Sequence, residues 1–157
     1  MKSNIRLKNW WLLLLTPILL HGVCNKENVD VAPPNADQYV TWKINGASGN
    51  LQSPVDSLSF YGMGNSTAIY GSTNPVPTTA FAIAFVGSQQ SGTYSADYIY
   101  LLSGGKYYVS TAIPLQVSVT TYGTAGQYVI GTYSGNVKDS TTSAIIPVSG
   151  EFRVKNR

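Results

Sequence analysis

Cysteine and histidine occur only once each in this 157-residue chain, and charged residues make up just 11% of it. Each scarcity excludes something. A lone cysteine cannot form a disulfide within the chain. The single histidine, His21, sits in the N-terminal stretch, so residues 24–157 hold none. Ser–His–Asp and Cys–His catalysis need an imidazole as general base. Zinc sites need several Cys or His ligands. Neither a GxxxxGK[ST] phosphate loop nor EF-hand spacing occurs. A surplus of base is missing too. Lys2, Arg6 and Lys8 are three of the ten bases, which leaves seven bases against seven acids beyond residue 23. Nucleic-acid binding therefore lacks its electrostatic basis. The expectation is a chain with no enzymatic activity, no metal and no cofactor.

What is present begins at the N-terminus. Lys2, Arg6 and Lys8 precede an apolar run, Trp10 to Leu20 (WWLLLLTPILL). At about 1.5 Å per residue this run cannot cross a hydrocarbon core of roughly 30 Å. Pro17 also interrupts it. A basic segment followed by a short apolar one reads as a secretory signal. His21-Gly22-Val23-Cys24 follows directly. This arrangement resembles the lipobox of bacterial lipoproteins. The resemblance implies that residues 1–23 are removed and that acylated Cys24 becomes the N-terminus. Several buried alkyl chains, at about 0.8 kcal/mol per CH₂, would then hold the protein on a membrane. Lys26-Glu27 resembles the charged export signal of Bacteroidota surface lipoproteins. The implied location is the cell envelope, as an outer-membrane lipoprotein. The alternative is a soluble secreted protein with a free thiol.

Residues 24–37 are polar, contain Pro33-Pro34 and show no period, as a flexible tether would. From residue 38 to 157 the chain reads as one domain of short strands. Val40, Trp42 and Ile44 alternate with polar residues, and Asn45-Gly46 is a turn signal. Leu58 and Phe60 alternate, as do Phe81, Ile83 and Phe85, and then Leu115, Val117 and Val119. Two tyrosine-rich stretches, 97–102 and 106–113, flank Ser103-Gly104-Gly105 as a hairpin. Val129, Tyr133 and Val137 share a face with Gly131 and Gly135, and Ile146, Val148, Phe152 and Val154 share another. Gly131, Gly135 and Gly150 are expected to leave room for aromatic rings from adjacent strands. Pro147 predicts an edge or a bulge. The pattern predicts an all-β fold, an antiparallel sandwich of about eight or nine strands, with a closed up-and-down barrel as the alternative.

The C-terminal third, with Tyr122-Gly123, the run Gly126 to Gly135 and the closing Gly150 to Lys155, resembles the end of small Bacteroidota lipoprotein β-domains. That resemblance implies an envelope-facing β-domain. Its motifs are structural and carry no catalytic residue across.

Three kinds of function are compatible with these residues. The first is a binding or scaffolding module that contacts another envelope protein. The second is a glycan-binding module, since tyrosine faces stack on sugar rings and their hydroxyls add hydrogen bonds. Its candidate residues are Tyr98, Tyr100, Tyr107 and Tyr108. Residues two apart share a face, so Tyr98 joins Tyr100, whereas only one of Tyr107 and Tyr108 can join them. The third is a hydrolase built on two carboxylates. Its available acids, Asp56, Asp97 and Glu151, are not brought together by any pattern. Asp56-Ser57-Leu58 and Asp139-Ser140-Thr141 resemble an O-glycosylation signal of secreted Bacteroidota proteins, but read more simply as Asx-type turns before strands.

Overall fold

The structure, a computed structural model, describes residues 37–87 and 89–157. The signal, Cys24 and the tether up to residue 36 lie outside the described residues. The described chain is all-β. Its strands are β1 (Tyr39–Ile44), β2 (Ala47–Gln52), β3 (Ser57–Met63), β4 (Ser66–Ser72), β5 (Ala80–Val86) and β6 (Gly92–Ala96). They continue with β7 (Tyr98–Ser103), β8 (Lys106–Ser110), β9 (Leu115–Tyr122), β10 (Tyr128–Asp139) and β11 (Ile145–Lys155). All pairings are antiparallel. Eleven strands form, where the alternation predicts eight or nine. The additions are β2 (ASGNLQ) and β6 (GTYSA), which lack a run of alternating apolar residues.

The main path runs β2-β1-β11-β10-β8-β7-β5-β4-β3, with β9 and β6 branching from β10. The long β10 makes the branch. Its first part, Val129 to Ser134, pairs with β9, and its end, Val137 to Asp139, pairs with β8. Two layers result, and they face each other across one core. Trp42 of β1 stacks on Phe81 of β5 at 6.4 Å, Phe81 meets Tyr133 of β10 at 5.4 Å, and Phe60 of β3 meets Tyr122 of β9 at 5.9 Å. The two ends of the path also approach each other. Leu51 of β2 and Leu58 of β3 both pack against the glycine face of Gly71. The sandwich is thus nearly a closed barrel.

The turns follow their residues. Asn45 and Gly46 both take positive φ, 48° and 80°, the backbone of a type I′ turn that matches strand twist. Pro147 sits where β11 has lost a neighbour, because β1 ends opposite Val148. Asp139 is the last residue of β10 and starts the turn toward β11. Its Oδ1 accepts the N–H of Thr141 at 2.8 Å and of Thr142 at 3.0 Å, an Asx turn. Asp56 works differently: its carboxylate accepts the N–H of Gln52, four residues back.

The bonds from Thr142 and Thr141 hold the Asp139 carboxyl below the usual carboxylate range. A depressed folded pKa gives stability that is complete above the unfolded value of about 3.9 and lost as pH falls through the folded value. Asp139→Asn keeps the acceptor and removes the charge. It should melt below the parent protein at neutral pH, with the gap closing in strong acid. A gap independent of pH in thermal melts would contradict this origin.

The centre of the β10–β11 ribbon carries two reciprocal pairs. Gly131 lies opposite Phe152, and Tyr133 lies opposite Gly150. Each ring covers the glycine facing it. A Cβ on Gly131 would sit 2.7 Å from Phe152 Cζ, and one on Gly150 would sit 2.6 Å from the Tyr133 hydroxyl. Beside this, the β1–β11 ladder opens. Its partners run Val40↔Phe152 and Lys43↔Ser149, with no pairing at the two positions between. Side chains fill the gap. The buried Tyr133 hydroxyl donates to the Thr41 carbonyl at 2.8 Å, and the Glu151 N–H donates to Thr41 Oγ1 at 3.2 Å. Burial pushes the Tyr133 phenol well above its ordinary range, so it stays a neutral donor.

Candidate functional site

The candidate tyrosines lie on β7 and β8, inside a five-strand stretch ordered β3-β4-β5-β7-β8. Inward residues of this stretch, Phe60, Ile69, Ile83, Ile99 and Leu101, are buried in the core. The alternate residues must therefore face outward. Tyr98 and Tyr107 do so at 50% and 46% exposure, and Tyr100 between them is half-buried. The rings of Tyr100 and Tyr107 lie 6.1 Å apart at 46°. They form a faceted surface, not a coplanar stack. Tyr108 points the other way. It is 8% exposed and belongs to the core cluster, so it does not join the patch.

Two further tyrosines complete the surface. Tyr61 on β3 and Tyr70 on β4 are 52% and 46% exposed on the same face. Register places them in rows with the others. One row runs Tyr61–Ala68–Ala84–Tyr98, and the next runs Ser59–Tyr70–Ala82–Tyr100–Val109. The alanines between are informative. Ala68 and Ala82 point outward, yet are only 7% and 9% exposed. Tyr61 and Tyr70 flank Ala68, while Tyr70 and Tyr100 flank Ala82. Neighbouring tyrosines thus stand on both sides of each small, covered alanine.

The outward positions of these five strands hold tyrosine, serine, alanine and a few aliphatic residues, and no charge. Charges stand at the edges of this face: exposed Asp97 precedes Tyr98, exposed Lys106 precedes Tyr107, and Lys138 of β10 lies beside Val109. Burial, and next the neighbouring Tyr107 and Tyr98, raise the Tyr100 phenol above its ordinary range. The Tyr100 phenol therefore stays a neutral hydrogen-bonding group at neutral pH. Local alternation finds Tyr98, Tyr100 and Tyr107. It misses Tyr61 and Tyr70, whose place beside them depends on strand order, although the outward parity of Tyr70 next to Ile69 was available.

The acids are scattered. Asp56 serves a turn, Asp97 is exposed between β6 and β7, and Glu151 belongs to the other layer. Among the described residues no three His, Cys, Asp or Glu side chains gather where a metal ion could be held. Comparison with known proteins adds no relative: no family model, curated protein or solved structure matches the chain.

Proposed function

We propose that this chain is a lipid-anchored, non-enzymatic binding module of the cell envelope, and that its tyrosine-paved face holds a neutral glycan. The observation that carries the reading is that face: five outward tyrosines in register, floored by alanine, bordered by serine and free of charge. Pyranose rings present apolar C–H faces and neutral hydroxyls. Tyrosine matches both, with a ring for stacking and a hydroxyl for hydrogen bonding. An acidic polysaccharide would need bases among the rings, and the two nearest, Lys106 and Lys138, stand only at the edge. The rings sit on strands, so little ordering is required on binding.

Glycan-array binding by the intact protein tests this. Tyr98→Ala and Tyr100→Ala should each weaken binding about tenfold, or about 1.4 kcal/mol, without changing the fold. Undiminished binding by both variants would move the ligand elsewhere. An array with no binding at all would return the module to a scaffolding role on an envelope protein.

The anchor rests on the N-terminal segment. A basic stretch, an apolar run too short to span and then the lone cysteine support acylation at Cys24. Residues 25–37, if extended, would let the domain stand up to about 45 Å from the acyl chains. Cys24→Ser should release the protein from membranes or leave an unprocessed precursor. A normally processed Cys24→Ser protein that stays on the membrane would end this part of the reading.

A further inference from the structure

The opposite layer carries a different chemistry on its outer face. Two rows of polar side chains cross it side by side. One row is Ser48–Lys43–Ser149–Ser134, and the other brings Thr41, Glu151 and Thr132 together. A cavity of about 230 Å³ lies among them, at the point where the β1–β11 ladder opens, with Trp42, Tyr133 and Gly150 in its wall.

Lys43 on β1 and Glu151 on β11 both line this cavity, with the ladder opening between their positions. Both are half-buried, yet among the described residues they form no ion pair. The hydroxyls of Ser48, Thr132, Ser134 and Ser149 are exposed at the rim of the same cavity. Two half-buried opposite charges thus border one small cavity without pairing with each other, and exposed hydroxyls line its rim. The wall behind them is rigid. The Tyr133–Thr41 hydrogen bond fixes one side, and Trp42 is stacked on Phe81.

We propose that this cavity binds a small zwitterion of about the size of a free α-amino acid, its carboxylate on Lys43 and its ammonium on Glu151. Charge complementarity selects this class. A lone anion would satisfy Lys43 and be repelled by Glu151, and a lone cation the reverse. A neutral polyol would use the hydroxyls and leave both charges unanswered. The volume is below the roughly 300–1,000 Å³ of sites for drug-sized ligands, which suits a few heavy atoms.

The test titrates the full chain in detergent micelles with glycine, and separately with acetate, methylammonium and glucose, while following backbone amide shifts. Glycine should give saturable shifts at Lys43, Ser149, Gly150 and Glu151 with a Kd on the order of 1 mM. Acetate and methylammonium should bind at least tenfold more weakly. Lys43→Met and Glu151→Gln should each lose at least tenfold in glycine affinity with Tm unchanged. Added salt should weaken glycine binding to the parent protein, a readout that depends on no variant. Glucose binding as tightly as glycine, unchanged affinity in both variants, or no saturation at a hundredfold higher glycine would each overturn the proposal.

Discussion

A Gly150→Ala protein is expected to lose a large part of its stability and, in a marginal background, not to fold. The added methyl would lie far inside van der Waals contact with the Thr41 carbonyl oxygen and 2.6 Å from the Tyr133 hydroxyl. The first of these is backbone and cannot swing aside. Separating β1 from β11 there would also break the Tyr133 bond that satisfies Thr41. Overpacking costs about 1–3 kcal/mol, and a buried carbonyl left unpaired costs a similar amount. Their sum is a large part of a whole stability of about 5–15 kcal/mol. Gly126→Ala is the useful contrast. A Cβ there meets nothing within 4 Å, but its φ is 86°. It should cost only the left-handed backbone penalty of about 1–2 kcal/mol. Urea titrations should rank the two accordingly. Tyr133→Phe should not rescue Gly150→Ala, because the Thr41 carbonyl stays in place. An unchanged midpoint for Gly150→Ala would show that the two strands do not close over this glycine.

The residues that make this seam were legible in the chain, and their consequence was not. Alternation placed Tyr133 and Phe152 on inward faces and matched Gly131 and Gly150 to aromatic neighbours, but Gly135, expected to do the same, lies opposite Val148 and meets Leu115 instead of a ring. No local pattern announces that the ladder opens beside Thr41. That opening depends on a tyrosine reaching across a glycine to a third strand, 92 residues away in sequence. The missed strands have a related cause. β2 and β6 each pair along one side only, and each buries little: Leu51 in β2, Ala96 and part of Tyr94 in β6. A strand that contributes one or two side chains to a core leaves almost no period in the sequence. The candidate face divides in the same way. Tyr98, Tyr100 and Tyr107 are joined by a local hairpin, so parity and one turn suffice to gather them. Tyr61 and Tyr70 join only because β4 and β5 lie between β3 and β7, which is topology and not pattern.

Phe152→Ala should be the most costly truncation on the same ribbon, lowering stability by about 3–5 kcal/mol. The ring is fully buried and belongs to the central cluster with Val40, Val129 and Val154. The size of a truncation penalty depends on how far the surroundings can collapse into the space left. Here they cannot collapse far. The residue opposite is Gly131, which has no side chain to move in, and the sites around it belong to paired strands. Refilling from the glycine side is blocked as well, because a Cβ on Gly131 would collide with the Ser118 carbonyl. Phe152→Ala combined with Gly131→Ala should therefore be worse than Phe152→Ala alone, although the two changes nearly exchange side chains across the pair. For a domain of this size the single change corresponds to a fall in Tm of roughly 10–20 °C. Phe60→Ala provides an internal scale, since Phe60 is 7% exposed on the terminal strand β3 and has more freedom to relax. Thermal melts that place Phe60→Ala below Phe152→Ala, or that leave the latter at the parent Tm, would show that the ribbon does not carry the core.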